Sequence, residues 1–421
     1  MIPGESRNTR INATLVLSLI VIVGFAFRIA YLIGSTVLGG PPTFDGIEYD
    51  MLAVNIANGG GFALTPGVPY SFHPPGFPAF LAVVFTIFGH NLSAVRIFDA
   101  AFSALTCIPV YLFTKRIWNW QSGLLAAAGI AVHPLLIYLT SLIYPESLIL
   151  LLIAIILWLT VAFWENKRLS TLVLIGFSGS LGIYLRPNLI LWCGLLGLWL
   201  LLVFNAFKPR LVSMLLFASI VGVCILPWSI RNFVVTGNLT WMSTNGGVTF
   251  WSGNNQLANG GWVEPGPQTW LKPDPPPDLH GWPNLSEKQS EDRFFTEAKN
   301  WIQANPGQAI GLIPRKVIRA LELNFGNESR SLSIPRAVSY LYDLFMLAAL
   351  AGAVLSWRAW KTLLPAYGLA FVSLVTSMIF YGSTRQSAVL IPVLVSLAAS
   401  AAWKGLSWGW NLWQRRRVGK F

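Results

Sequence analysis

Long apolar segments constrain the fold of this chain more than any other feature. A helix needs roughly 20 apolar residues to cross the hydrocarbon of a bilayer. Only 11% of the residues are charged, against about 25% in a soluble domain, so lipid is the solvent that suits such a surface. The sequence predicts an all-α polytopic membrane protein with about ten transmembrane helices. The predicted spans are residues 13–35, 92–114, 121–142, 146–164, 170–186, 188–206, 211–228, 338–357, 362–381 and 386–404.

The positions of the charges predict the orientation. The apolar segment 76–88 is too short to cross and is predicted to be an interfacial helix. With that assignment, basic residues gather on one side, which the positive-inside rule makes cytoplasmic together with both termini. The net charge of +12 is then explained without nucleic acid. The basic residues on that side are Arg7, Arg10, Lys115, Arg116, Lys167, Arg168, Lys208, Arg210, Arg358, Lys361, Lys404 and Arg415 to Arg417.

Two long external segments organise the chain. A transmembrane module at 1–228 contains the first external loop, 36–91, with interfacial helices. A large external loop follows at 229–337, with a proline-rich "PDPPP" and then two helices separated by "NPG". The last transmembrane helices and a basic cytoplasmic tail occupy 338–421. The prediction is a multi-pass plasma (inner) membrane protein with its site on the external or periplasmic side.

Carboxylates gather in the first external loop with no base beside them. Residues 41–62 contain Asp45, Glu48 and Asp50 but no Lys or Arg. Asp45 alone could be a helix N-cap, which Asp favours. Three like charges repel one another, however, unless a cation or a metal ion faces them, so a functional role is favoured. Glu146 lies on the same side at the start of a span, where the helix dipole also favours an acid.

Four arginines lie near the external membrane boundary. Snorkelling is the ordinary explanation for such a position, but the positive-inside bias should deplete arginine there. Guanidinium groups bind phosphate with two hydrogen bonds, so these side chains are candidates for binding a phosphate-headed lipid. The candidates are Arg28, Arg186, Arg231 and Arg385.

An ordered series of motifs resembles the GT-C superfamily of integral-membrane glycosyltransferases. The most similar branch is the bacterial one related to protein O-mannosyltransferases and to the aminoarabinose transferases of lipid A. The resemblance runs from about residue 13 to 260 and again over the last spans, and it is weak in the proline-rich part. The motifs are "FDGIEYDMLAVNIANGGGF", "HPPGFPAFLAVVFTIFGHNLSAVRIFDA", "YPES", "LRPN", "LPWSIRN", "STNGGVTFWSGNN" and "TRQSAVLIPVLVS".

The resemblance implies a reaction and assigns residues to it. Such enzymes transfer a sugar, with inversion, from a polyprenyl-phosphate-linked donor on the outer face of the membrane. Asp45 matches their acidic residue, which acts as base or orients the acceptor, and Glu48 stands near their second acid, although two residues intervene here. His73 matches the start of their "HPP" motif, and Glu146 matches an acid of the aminoarabinose transferases. The acceptor stays open between glycan, lipid and protein.

No cofactor is required by this chemistry. A divalent cation could lie between Asp45, Glu48 and Glu146, because oxygen ligands suit hard ions. Asp50, His73 and Glu146 are kept as candidates for holding the acceptor or a metal ion. The expected partners are the lipid-linked donor, membrane lipids and the acceptor.

Other functions compete with transfer. A transporter or flippase of lipid-linked sugars should bury ionisable residues within its spans, and here the spans are nearly free of charge except for Arg28, Arg96 and Asp99. Arg96 and Asp99, three residues apart, are expected to pair along one helix. A glycan ligase would use the arginines without needing Asp45, and a structural scaffold leaves the acidic loop unexplained.

Overall fold

A computed structural model describes residues 7–68, 70–265, 285–322 and 336–418. Within them it contains α-helices, two 3₁₀ turns and no strand, so the all-α prediction is confirmed. The "PDPPP" segment lies outside the described residues. The helices before residue 170 begin and end as follows: α1 Arg7–Gly34, α2 Asp45–Ala57, α3 Gly76–Phe88, α4 Leu92–Leu105, α5 Cys107–Ile117, α6 Trp120–Val132, α7 Pro134–Leu139, α8 Glu146–Asn166 and α9 Leu169–Leu185. The later helices are α10 Leu189–Val203, α11 Phe207–Thr236, α12 Gly246–Ser252, α13 Glu287–Ala304, α14 Pro306–Leu321, α15 Arg336–Leu355, α16 Trp360–Ile379, α17 Thr384–Ser387 and α18 Ile391–Val418.

Six helical stretches of the described residues are long and apolar enough to cross a membrane. This finding confirms the prediction of a polytopic membrane protein. Several predicted spans correspond to shorter apolar helices, so the count of ten crossings stays a prediction. The six stretches are Asn12–Gly34, Leu92–Ile117, Glu146–Asn166, Phe207–Thr236, Trp357–Ile379 and Thr384–Asn411.

Three sequence boundaries can be compared with the helices directly. The predicted span 121–142 is broken at His133, whose backbone is extended because Pro134 follows it. The loop boundary predicted at residue 229 falls inside α11, which continues to Thr236. The "NPG" break is confirmed, since α13 and α14 are separated at Asn305.

Two kinds of contact join the helices: hydrogen bonds between them and close backbone approach at a small residue. Pro365 within α16 has no N–H, so it leaves the carbonyl of Lys361 without its usual helical partner. The indole of Trp199, on α10, donates to that carbonyl at 2.8 Å, and Trp192 donates to the carbonyl of Pro365 at 2.8 Å. Gly352 lets α15 approach α18 so closely that a Cβ would collide with the backbone of Leu397, as small residues do in membrane helices.

The predicted pairing of Arg96 with Asp99 is wrong. Arg96 donates instead to four backbone carbonyls that precede α2 and α8. Neither carboxylate oxygen of Asp99, which is fully buried in α4, has a hydrogen-bond partner among the described residues. The guanidinium of Arg96 donates to several carbonyls of irregular backbone at once, and these hydrogen bonds outweigh a single ion pair with Asp99. The carbonyls belong to Leu38, Gly40, Pro41 and Ser141.

Orientation can be tested with two cysteine substitutions. Thr65, in the first external loop, and Ser170, at the start of α9, are both exposed. We expect a membrane-impermeant maleimide added outside cells to label Thr65→Cys but to leave Ser170→Cys unlabelled until the membrane is opened. The partly exposed Cys224 is replaced by Ser in both variants. Labelling of both positions from outside would contradict the predicted topology.

Candidate functional site

Four charged side chains, from segments far apart in sequence, meet at one place. Arg385 donates from Nη1 to Asp45 Oδ2 at 2.9 Å and from Nε to Glu146 Oε1 at 2.6 Å. Arg186 donates from Nη2 to the same Glu146 oxygen at 3.0 Å and from Nη1 to the carbonyl of Gln386 at 3.1 Å. The structure therefore brings together predicted residues of the loop 36–91 and of three connections that the sequence assigned to the same side of the membrane.

Burial differs sharply within this cluster. The side chain of Glu146 is 2% exposed and its Oε2 has no hydrogen-bond partner among the described residues. The side chains of Asp45 and Arg385 are 39% and 32% exposed. Glu146 is thus the buried anchor of two guanidinium groups, whereas Asp45 can be reached by a second molecule.

Two tyrosines complete the surroundings of Arg385. Its guanidinium lies over the ring of Tyr144, 3.9 Å from the centroid, in a cation–π contact. Burial raises the pKa of the phenols of Tyr144 and Tyr49, so both stay neutral. Tyr144 was missed in the sequence, although it opens the same "YPE" motif as Glu146. Its position two residues before a candidate acid was the available signal.

The start of α2 sets the direction of Asp45. Phe44 occupies the N-cap position with φ of 51°, a conformation that non-glycine residues rarely adopt. Asp45 is the first helical residue, and its side chain binds Arg385 instead of capping the helix. Glu48 follows three residues later, which places it on a neighbouring part of the same helix surface.

Glu48 belongs to a second polar group beside the first. His73 Nε2 lies 2.7 Å from Glu48 Oε2, and the hydroxyl of Tyr70 donates to the same oxygen at 3.0 Å. His73 is buried and stands immediately before the rigid turn that opens α3. The structure thus joins two predicted residues, Glu48 and His73, in direct contact, and adds Tyr70.

Asp50 is separate from both groups. Its Oδ1 lies 2.7 Å from Nε2 of His90, whose side chain is 52% exposed. A helix offset of five residues turns Asp50 away from the surface of α2 that carries Asp45. The third acid of the loop therefore contacts His90 and not the cluster, and its own side chain is 15% exposed.

Arg231 binds the backbone of the loop 36–91. It donates to the carbonyls of Tyr70 at 2.5 Å and of Phe62 at 3.0 Å, and it stacks against the rings of Phe62 and Trp228. These contacts position the backbone that precedes His73. A role in binding donor phosphate stays a prediction.

Arg28 is bound elsewhere in the helix bundle. It is fully buried and donates four hydrogen bonds. These bonds fasten α1 to α4 and α6, so the guanidinium already serves the protein's own structure. Its predicted contact with phosphate has no geometric support here. The four acceptors are Ser103 Oγ and the carbonyls of Gly24, Ala131 and Ile130.

The three acids considered for a metal ion do not converge. Among the described residues, no group of three or more His, Cys, Asp or Glu side chains could hold a metal ion. Asp45 and Glu146 are bridged by Arg385, and Glu48 contacts His73. A guanidinium therefore occupies the place between two carboxylates where the sequence suggested a metal ion.

Comparisons with known proteins agree with this architecture. The sequence model of a family described as dolichyl-phosphate-mannose-protein mannosyltransferase matches residues 72–230. The apo structure of the oligosaccharyltransferase of Archaeoglobus fulgidus superimposes with a TM-score of 0.59 at 12% identity, over 99% of this chain and 53% of that one. The chain has the GT-C fold. The resemblance predicted from the motifs is thereby confirmed.

Two further structures of an oligosaccharyltransferase from Archaeoglobus fulgidus agree. The complex of AglB with an inhibitory peptide and a dolichol-phosphate has a TM-score of 0.54 at 14% identity, covering 98% of this chain and 52% of that one. The complex with Zn and sulfate has a TM-score of 0.56 at 13% identity, covering 92% and 48%. The chain spans about half the length of these enzymes. No curated protein sequence matches it.

Proposed function

We propose that this chain transfers a sugar from a polyprenyl-phosphate-linked donor to an acceptor hydroxyl on the outer face of the membrane. The observation that carries the proposal is the Arg385 bridge. It places an accessible carboxylate, Asp45, in contact with the guanidinium of Arg385, while the guanidinium of Arg186 binds the same Glu146 oxygen as Arg385. A base for a hydroxyl proton and a cation for a phosphate are the two groups that such a transfer needs.

The proposed reaction is a single displacement. The acceptor oxygen bonds to the anomeric carbon while the bond from that carbon to the phosphate oxygen breaks. The electron pair stays with the phosphate, and the acceptor proton passes to the carboxylate of Asp45. Attack from the side opposite the leaving group inverts the anomeric centre, and Arg385 and Arg186 stabilise the departing phosphate.

The remaining residues of the site have supporting roles in this proposal. Glu146 fixes the two arginines, and the neutral ring of Tyr144 supports Arg385 from one face. Glu48, bound to His73, is the residue proposed to hold the acceptor.

The similar proteins suggest the donor class. The matched family is described by its use of dolichyl-phosphate-mannose, and the AglB complex contains a dolichol-phosphate. A polyprenyl phosphate carrying a single sugar is therefore the donor to test first. The acceptor stays open between glycan, lipid and protein.

A flippase for lipid-linked sugars is a second candidate, and one observation favours it. Asp99 is a fully buried carboxyl within a candidate span, with no hydrogen-bond partner among the described residues. Transporters place such groups along their pathways. The two functions differ in their products, since a flippase moves its substrate without breaking the sugar–phosphate bond.

The deciding experiment combines cells with purified protein. Mass spectrometry of glycans from cells with and without the chain should show a missing or shortened sugar in its absence and so name the acceptor. The full chain in detergent should then release polyprenyl phosphate from the lipid-linked donor only when that acceptor is added. Detergent removes the two compartments that a flippase requires. Donor left intact in detergent, beside a glycan defect in cells, would contradict the transferase proposal.

A further inference from the structure

The segment that carries Arg385 is held by a helix of the large external loop. Thr384 donates from Oγ1 to the carbonyl of Glu322 at 2.9 Å, and Ser387 donates from Oγ to the carbonyl of Ala320. Both carbonyls lie at the C-terminal end of α14, where backbone acceptors lack helical partners. The two hydroxyls flanking Arg385 therefore cap α14.

A buried lysine one turn earlier in α14 fastens the same segment from its other end. Lys316 is 1% exposed. Its Nζ donates to Asn254 Oδ1 at 2.9 Å and lies 3.3 and 3.4 Å from the carbonyls of Met378 and Ile379. Those carbonyls end α16, where a positive charge also suits the helix dipole. The chain runs from this point directly towards Arg385.

Backbone contacts leave the intervening residues little room to move. The amide of Gly382 donates to the carbonyl of Gly260 at 2.8 Å. A Cβ at Gly382 would collide with the carbonyl of Lys316, and one at Gly253 would collide with the carbonyl of Phe380. The segment 380–387 thus passes between α14 and the loop around Gly260 with its backbone in direct contact on both sides.

We propose that Lys316 is a positioning residue, which fixes the segment 380–387 and through it the Arg385 guanidinium between Asp45 and Glu146. The large external loop then helps to fix the geometry of the site. The consequence for phosphate binding rests on the proposed function, whereas the fixing of the segment does not.

The first test measures local opening, which needs no substrate. The full chain in lipid nanodiscs is compared with Lys316→Met by hydrogen–deuterium exchange. Amides of residues 378–390 should exchange at least about tenfold faster in the variant. Lys361→Met is the matched control, since Lys361 is an exposed lysine at the opposite end of α16, and it should leave exchange in 378–390 unchanged. Unchanged exchange in a folded Lys316→Met protein would overturn the proposal.

A milder variant keeps the test decisive if Lys316→Met does not fold. Lys316→Gln shortens the side chain and removes its charge but keeps a polar end in place of the ammonium group. Exchange in 378–390 should rise about threefold. Wild-type exchange rates in a folded Lys316→Gln protein would overturn the proposal by themselves.

The second test separates positioning from general stability. Binding of polyprenyl phosphate should weaken about tenfold in Lys316→Met, and Lys316→Arg should restore most of it because a cation again reaches the end of α16. Faster exchange with unchanged lipid binding would overturn the link to Arg385. If the wild type binds no polyprenyl phosphate, the proposed function fails, and the exchange experiment alone decides the role of Lys316.

Discussion

Replacing Asp45 with Asn should reduce the transfer rate by about 10²–10⁴-fold, the usual contribution of a general base. The fold should survive, because Asp45 is not the N-cap of α2 and an Asn oxygen can still accept the hydrogen bond from Arg385. The rate of polyprenyl phosphate release by purified protein is the measurement. The affinity for polyprenyl phosphate should change little, since both guanidinium groups remain.

Asp50→Asn is the matched control for that prediction. Asp50 lies on the same helix but contacts the exposed His90, so its loss should leave transfer within a few-fold of wild type. Transfer by Asp45→Asn at a similar level would remove Asp45 from the role of base. Glu48 or Glu146 would then be the next carboxylate to test.

Glu146→Gln should lower the free energy of unfolding by about 3–5 kcal/mol, as expected when one partner of a buried ion pair is removed. Gln keeps the shape of the side chain but removes the charge that Arg186 and Arg385 share. Chemical unfolding of the purified variants in detergent measures the difference. The double variant Glu146→Gln/Arg186→Met should recover part of the loss, because one uncompensated guanidinium is removed with the carboxylate.

Glu165→Gln provides the control at the other end of the same helix. Glu165 is 49% exposed and lies 3.7 Å from Arg116, so its pair should contribute only about 0–1 kcal/mol. Equal stabilities for Glu146→Gln and Glu165→Gln would show that the buried cluster does not hold the bundle together.

Much of the architecture could be predicted because lipid imposes simple rules on sequence. The length of the apolar segments predicts where the helices lie. The segregation of charge assigned one set of residues to the same side of the membrane: Asp45, Glu146, Arg186 and Arg385. The structure brings all four into contact. Glu48 lies three residues after Asp45, whereas the resemblance implies a second acid next to the first. Residues three apart on a helix still lie on neighbouring parts of one surface.

The sequence could not distinguish arginines that serve the site from those that serve the fold. Arg28 and Arg231 have the same chemistry and the same predicted depth as Arg186 and Arg385. Their partners, however, are mostly backbone carbonyls supplied by distant segments, which no residue pattern reveals. Lys316 was missed for the same reason, because its acceptors are carbonyls exposed only by the end of α16.

The contact between α14 and residues 378–387 also limits how such proteins can be recombined. A hybrid that receives residues 229–337 from another protein of the same fold would replace three features together: Lys316, the end of α14 that supplies the two carbonyl acceptors, and Gly253, which allows close approach of Phe380. The loop and the turn after α16 therefore form one transferable unit, although more than 60 residues separate Lys316 from Arg385 in sequence. Exchanges whose boundaries keep 306–322 with 378–387 should preserve the site, whereas exchanges that cut between them should not.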